Sequence, residues 1–578
     1  MGQSTNYRPG MFAAFACTLL AGTSPAGAAD VSYGRLLKPE PQNWLTNHHD
    51  FGAQRYSALD VINRSNVKNL KLAFAIALGG TSTDEYLQLT PLVDDGFMYV
   101  VDSWGIVSKV DVRSGTAGQI VWQMNPKQEK QDRNRGVALW NNLVISQTGF
   151  AARVVATDKD TGKVVWETNL LDQPDLELTA APLALKDQII VGGSGGDRGI
   201  RPWVVSLDAR TGALQWKTHS VPAPGEPGSE TWKGGNNAWQ TGGGSFYVTG
   251  SYDPATNLTY WGSGNPAPAY DPTYRPGDNL YTSSALALDA ATGKIRWHHQ
   301  YTPNDSRDYD ETGTHIIIDT KVNGEDRKIL SHAGRNGFDY VFDRLSGQFL
   351  RATQTVKQVT WTRGIDSKTG KPADYDPTRD LQTYAAPANM NDDRASRTTC
   401  PAISGGNNYW PASYSRRTGL LYIPQHEGCA RITTDHSLHV KGNFWGGVTG
   451  ADGPITSSLV TLDPGSGELK KRVELPYPNY AGTLTTAGGI VVTALIDGTI
   501  LAFDDESLEE LWRINVGTGF NAPPMTYSVG GKQYIAIASG LCCAGAAPGQ
   551  YRNARVRTSR TPELRQIGNA TMVFVFGL

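Results

Sequence analysis

A single short phrase recurs along the chain and limits its fold more than any other property of the sequence. It is an apolar pair, an aspartate, a turn of small residues with glycine, then apolar residues ending in tryptophan. Asp158 leads in this way to Gly162 and Trp166, Asp208 to Gly212 and Trp216, and Asp289 to Gly293 and Trp297, with 8 positions from Asp to Trp each time. Asp504 with Trp512, Asp343 with Arg351 and Asp463 with Lys471 keep the spacing but lose parts of the phrase, and Asp111 to Trp122 is a copy stretched by 3 residues. A repeat at a fixed period signals one supersecondary unit used again and again.

Each phrase fits two antiparallel strands joined by a tight turn. Glycine supplies a positive φ there, and the aspartate side chain satisfies backbone N–H groups of the turn. The tryptophan then packs between neighbouring sheets. Runs such as Gln188–Gly192 and Gly489–Ala494, rich in β-branched residues, supply further strands. Asp111, Asp158 and Asp208 stand 47 and 50 residues apart, the length of one four-stranded propeller blade. The reading is an all-β chain, an eight-bladed β-propeller with W-type antiparallel sheets: seven copies are visible, and an eighth blade lacks the phrase. The wide gaps from 208 to 289 and from 343 to 463 leave room for inserts and for that blade. An array of β-sandwiches with Asp-Gly turns is the alternative, but the unequal gaps contain no Pro-rich linkers.

The 53 basic and 55 acidic side chains leave a net charge of −2, so the chain lacks the basic footprint of a nucleic-acid binder. Arg8, the apolar stretch from Met11 to Ala21 and the small residues Ala26, Gly27 and Ala28 have the layout of a cleavable signal peptide. The expected division is 1–28 signal peptide and 29–578 a single catalytic propeller, exported to the periplasm. No later stretch reaches the ~20 apolar residues of a spanning helix. Without Cys17, four cysteines remain for an oxidising compartment. Pairing Cys400 with Cys429 would close a loop worth roughly 3–4 kcal/mol, and the adjacent Cys542 and Cys543 either bond to each other or cross-pair. No Cys-x-x-Cys-His occurs, so a covalently attached haem is not expected.

Several phrases, in order, resemble the quinoprotein alcohol dehydrogenases, the family of bacterial methanol and ethanol dehydrogenases. They are Asn134-Arg135-Gly136-Val137-Ala138, the run from Gly192 to Arg201, Gly250-Ser251-Tyr252-Asp253-Pro254, Gly264-Asn265-Pro266, Asp308-Tyr309-Asp310 and Gly334-Arg335-Asn336-Gly337. The resemblance begins near Asn43, and it implies a propeller that holds pyrroloquinoline quinone (PQQ) and one metal ion near its axis. PQQ is a planar tricarboxylate and calls for cationic and hydrogen-bonding groups at its edge and flat groups on its faces. The resemblance assigns that role to Gln88, Arg135, Thr179, Ser194, Gly195, Gly196, Tyr247, Arg335, Asn408 and Tyr480. Read alone, Ser194-Gly195-Gly196 is an ordinary glycine turn, and it does not fit a dinucleotide fingerprint.

The metal positions read Asp197, Asn265 and Asp308, oxygen donors suited to a hard cation. Asp197 stands where the family usually has Glu. Asp310 resembles the second aspartate of the lanthanide-using branch, and it either suits a trivalent ion or compensates the shorter Asp197 around Ca²⁺. The resemblance makes Asp308 the general base and Arg335 the donor that stabilises negative charge on the quinone. Gln88 replaces the usual Glu, and Tyr247, Tyr409 and Tyr480 replace expected tryptophans. The family's vicinal cysteine pair is absent before Asn134, where Lys127 to Asp132 stands instead, and Cys542-Cys543 is expected to shape the pocket mouth. Arg552, Arg555, Arg557 and Arg560 either dock an acidic partner or form a solvated loop.

The function expected is oxidation of an alcohol, bulky or secondary rather than methanol, with electrons passed to a separate cytochrome c or other acceptor. A non-catalytic periplasmic propeller scaffold with similar repeats would have no reason to gather Arg135, Asp197, Asn265, Asp308 and Arg335. A six-bladed PQQ sugar dehydrogenase disagrees with the repeat count and with Gly264-Asn265-Pro266.

Overall fold

The computed structural model describes residues 1–3, 29–79, 87–385, 396–540, 564, 567 and 570–578. Strands dominate, and the described residues form eight sheets of four or five strands and one two-stranded hairpin. Residues 4–28 of the expected signal segment, Cys542-Cys543 and the four late arginines lie outside the described residues.

The unit around Asp208 illustrates the build. Leu183–Ala184, Gln188–Gly192, Trp203–Asp208 and Leu214–His219 pair antiparallel in chain order. The middle strands are buried almost throughout, which explains their apolar runs, whereas every residue of the fourth strand is exposed or half-exposed at the outer edge. Between the third and fourth strands, Asp208 Oδ1 accepts from Arg210 N, Thr211 N and Thr211 Oγ1 at 3.0, 2.9 and 2.9 Å. Gly212 has φ +72°, and a Cβ there would stand 2.5 Å from the Trp166 ring, so this glycine provides both the turn and the seat for the preceding unit's tryptophan.

Such contacts pass from sheet to sheet around the molecule. The indole Nε1 atoms of Trp122, Trp166, Trp216 and Trp297 donate to the backbone carbonyls of Lys159, Ala209, Ala290 and Arg344, at 3.1, 3.2, 2.9 and 3.0 Å. Each acceptor is the residue just after the next unit's aspartate. Arg351 does the same with its guanidinium, donating to Pro464 O and, at 2.9 Å, to Gly465 O, and Tyr422 Oη donates to Asp505 O. Trp512 Nε1 reaches Leu70 O at 3.1 Å, and Tyr534 packs so closely on Gly115 that a Cβ there would meet its hydroxyl at 2.1 Å. The last contact returns to the first unit and closes the ring.

The sheet without the phrase does not lie in either wide gap. It consists of Met525–Val529, Lys532–Ser539 and Met572–Gly577 with the N-terminal strand Lys71–Ala77 on its edge. The phrase is the turn from third to fourth strand, and here those two strands come from opposite ends of the chain, so no turn is needed. The gaps hold inserts instead. In the second one, Leu420–Thr434 and Gly447–Leu462 form a long hairpin whose far half pairs with Ser396–Thr399. Cys400 and Cys429 are disulfide-bonded across it, as the sequence suggested.

Candidate active site

The residues singled out by sequence converge at one end of the ring for a simple topological reason. Gln88, Arg135, Thr179, Tyr247, Asp310, Tyr409 and Tyr480 stand just ahead of the first strands of their sheets, which start at Leu92, Ala138, Leu183, Ser251, His315, Ser413 and Thr483. Asp197, Asn265 and Arg335 follow the ends of second strands, at Gly192, Gly262 and Ala333. First and second strands are antiparallel, so the start of one and the end of the other share an end of the sheet.

Arg335, held by a bond from its Nε to Ile403 O, turns one guanidinium nitrogen to two carboxylates: Nη1 pairs with Asp308 Oδ1 at 3.3 Å and more closely with Asp310 Oδ2. Asp310 Oδ2 also accepts from Tyr247 Oη at 2.7 Å, and its Oδ1 accepts from Asn265 N at 3.0 Å. Tyr247 Oη further contacts Asn408 Oδ1 at 2.8 Å, and Asn265 Nδ2 donates to Asp197 Oδ1 at 3.2 Å. Asp308 takes the left-handed conformation, φ +63°, a strained backbone for a non-glycine residue that recurs at functional sites.

Three carboxylates face one guanidinium here. Burial pushes the Asp197 carboxyl up to about 6, and the Asp310 charge adds to the shift. Burial also drives Asp308 well above the usual carboxylate range, with Arg335 opposing and Asp310 and Asp197 reinforcing. The site thus carries more negative charge than its own residues neutralise, which is the electrostatic setting of a cation site.

Beside it lies a flatter group of residues. The Arg135 guanidinium sits 5.0 Å from the Tyr247 ring centre and 5.2 Å from that of Tyr409, and its Nη1 donates to Thr179 Oγ1 at 3.0 Å. Thr179 Oγ1 meets Ser194 Oγ at 3.2 Å, and Gly196 N donates to Ser245 Oγ at 2.9 Å. A Cβ on Gly195 would stand 2.3 Å from Asp175 O, so this turn tolerates only glycine. Tyr480 stacks on Tyr409 at 6.3 Å, one ring further out. Among the described residues Gln88 Oε1 is buried and has no hydrogen-bond partner.

The structure adds residues that sequence reasoning missed. Tyr270 Oη donates to Asp308 Oδ2 at 3.3 Å, and its ring stacks on Trp445 at 5.9 Å. Glu311 Oε2 accepts from Arg335 N at 3.0 Å and contacts His332 Nε2 at 2.9 Å, fixing the backbone from which Arg335 projects. Glu311 directly follows Asp310 and was visible as an unusually acidic run, whereas nothing local marks Tyr270 or Trp445.

A closed ring of antiparallel sheets with a carboxylate–arginine centre at one end, next to an arginine held between tyrosine rings, defines an enzyme of the β-propeller type with side chains suited to an anionic cofactor and a cation. The family model described as "PQQ: Glucose/ethanol/alcohol dehydrogenase, beta-propeller domain" matches residues 44–434 and 461–535, and the chain belongs to this family of PQQ-dependent alcohol dehydrogenases. The quinoprotein alcohol dehydrogenase PedH of Pseudomonas putida is 35% identical over 92% of this chain and 91% of its own length. The quinohemoprotein alcohol dehydrogenase of Comamonas testosteroni is 34% identical over 92% of this chain and 77% of its own. Among solved structures, a europium-containing methanol dehydrogenase superposes with a TM-score of 0.85 at 28% identity, covering 94% of this chain and 100% of that one.

The residues present fit the family's cofactor. The unpartnered Gln88 Oε1 can accept a hydrogen bond, Arg135 brings positive charge against a tricarboxylate, and the glycine turn lets backbone approach its edge. Among the described residues no helix is long and apolar enough to cross a membrane.

Proposed function

We propose that the chain is a periplasmic quinoprotein that oxidises an alcohol, bulky or secondary rather than methanol, to an aldehyde or ketone and passes electrons to a separate acceptor such as a soluble cytochrome c. In this reading residues 1–28 are a signal peptide, and 29–578 are one catalytic domain whose eight sheets are the blades of a single propeller. The observation that carries the proposal is the buried group of Asn265, Asp308, Asp310 and Arg335 with the half-buried Asp197 beside it, assembled from four separate segments by side-chain and backbone hydrogen bonds.

PQQ, when bound, supplies the two-electron acceptor for hydride from the alcohol carbon, and the metal ion, Ca²⁺ or a lanthanide, supplies Lewis acidity. Asp197, Asn265 and Asp308 would hold that ion with oxygen donors. Asp310 adds charge and, through its bonds to Asn265, Tyr247 and Arg335, keeps the donor set in place. Asp308 would accept the alcohol's hydroxyl proton at its carboxylate, which Tyr270 Oη and Arg335 Nη1 hold in position. Arg335 offers hydrogen-bond donors to negative charge developing on the quinone oxygens. Arg135, Thr179, Ser194, Gly195, Gly196 and Gln88 would bind the cofactor's edge, with Tyr247, Asn408 and Tyr480 completing its surroundings. Tyrosines at 247, 409 and 480 occupy less space than the tryptophans expected there, which supports a larger alcohol.

The test is reconstitution of the mature chain with PQQ plus Ca²⁺ or La³⁺, following dye reduction across an alcohol panel. Turnover that is highest with bulky secondary alcohols is expected. Methanol as the best substrate would refute the substrate class, and no PQQ-dependent turnover with either metal would refute the site.

A further inference from the structure

A second, chemically different cluster stands outside the centre just described. We propose that Asp271, His436 and His439 form a binding site for a borderline divalent cation, Zn²⁺ being the natural occupant. Among the described residues these three His and Asp side chains form a group whose ligand atoms all lie within 4.8 Å of one another.

The geometry is close to that of a coordination sphere. Asp271 Oδ2 lies 2.7 Å from His436 Nδ1 and 3.1 Å from His439 Nε2. Ligands about 2.0–2.1 Å from a tetrahedral zinc stand about 3.3 Å apart, so small side-chain shifts would admit the ion. The carboxylate is prepared for the role. Its Oδ1 is occupied by Thr273 N at 2.9 Å and Thr273 Oγ1, which fixes the rotamer and leaves Oδ2 to the imidazoles. The Asp271 side chain is 1% exposed. An anion buried this deeply calls for a compensating cation. Among the described residues His439 Nε2 is buried with no well-aligned hydrogen-bond partner beyond its 3.1 Å approach to Asp271, while His436 is 42% exposed and leaves the site open to water. Two imidazole nitrogens and one carboxylate oxygen favour Zn²⁺, Cu²⁺ or Ni²⁺ over the hard cations that suit the oxygen-only centre.

The position gives such an ion leverage on the fold. His436 and His439 lie on the excursion between the long strands that end at Thr434 and restart at Gly447, and Asp271 follows Tyr270 in the loop that reaches Asp308. Tyr270 N already bonds Trp445 O at 2.8 Å. A bound cation would therefore pin the excursion to the segment carrying Tyr270, adding to the Tyr270–Trp445 contacts.

The experiment uses the full mature chain loaded with PQQ and a lanthanide, so that the oxygen-donor centre is filled. Zinc binding is read by elemental analysis after dialysis and by competition with a chromogenic chelator. Cobalt substitution reports coordination through its visible spectrum. One equivalent of Zn²⁺ beyond the lanthanide is expected, with affinity at least about tenfold lower in the double variant His436→Ala/His439→Ala, whose folding is checked by circular dichroism. In Asp308→Asn zinc binding should be unchanged. Equal zinc binding by the wild type and the folded double variant would overturn the proposal, as would a loss in Asp308→Asn, which would put the zinc in the central site. Because the readout is stoichiometry and spectrum, a failure of alcohol turnover would leave this result standing.

Discussion

Aspartate plays opposite parts at the rim of the ring and at its end. At the rim, Asp158, Asp208 and Asp289 each give one carboxylate oxygen to three donors within their own turn, from residues two and three positions on. At the end, Asp308 and Asp310 are buried with the half-buried Asp197 close by, and the three take partners from segments tens of residues away. The rim aspartates are satisfied locally and so serve stability. The central ones leave negative charge over, and that surplus is what binding and proton transfer can use.

Four substitutions or titrations would break or sharpen this contrast. The largest effect should follow Asp308→Asn, which keeps the size but removes the proton acceptor. Turnover should fall by about 10²–10⁴-fold while the melting temperature of the cofactor-free protein is maintained or rises, since an uncompensated buried charge has gone. Steady-state kinetics beside a thermal melt would check both, and near-normal turnover would remove Asp308 from the role of base.

Trp297→Ala should do the reverse. Its ring is buried, seats Gly347 of the next unit and donates to Arg344 O, so the loss should be about 3–5 kcal/mol in denaturant unfolding. Activity per folded molecule should hardly change.

A third test concerns a buried aspartate that belongs to neither class. Asp339 lies within the strand Phe338–Asp343, accepts from Ser331 Oγ at 3.0 Å, and is pushed by burial up to about 7. Its folded value lies above the unfolded one, so the folded protein holds the extra proton between them. The stability contributed is complete below the ordinary carboxylate range and is lost as pH rises through about 7. The fall should approach an upper limit of roughly 4 kcal/mol, and Asp339→Asn should flatten that part of the pH–stability curve. An unchanged curve in the variant would show that other groups set the slope.

The smallest change is expected of Asp208→Ala, which deletes one turn's three hydrogen bonds at the surface. A cost of about 1 kcal/mol, with no effect on turnover, would match a local cap. A collapse of cooperativity would show that the rim turns act together.

Much of this contrast was readable in the residues, though unevenly. The seven Asp-led turns stood out because a turn is a local structure, specified within five or six residues. The eighth sheet left no such mark, because Lys71–Ala77 and Met572–Gly577 meet across the whole length of the chain. Family phrases pointed to Asp197, Asn265, Asp308 and Arg335 as a group. That Asp310 would take Arg335, Tyr247 and Asn265 as partners at once was not readable, since those bonds depend on where three loops end. Tyr270, Trp445 and the Asp271–histidine cluster were equally silent, for their meaning lies in the approach of two loops more than 160 residues apart.

By itself the sequence determined the repeating unit, the turn chemistry of its aspartates and glycines, and the family to which its ordered phrases belong, because each is encoded over short stretches of chain. Only the tertiary structure decided how the ring closes, which carboxylates share one arginine, and which tyrosine reaches Asp308. Those outcomes rest on burial and on hydrogen bonds between distant segments, and neither exists until the sheets have packed.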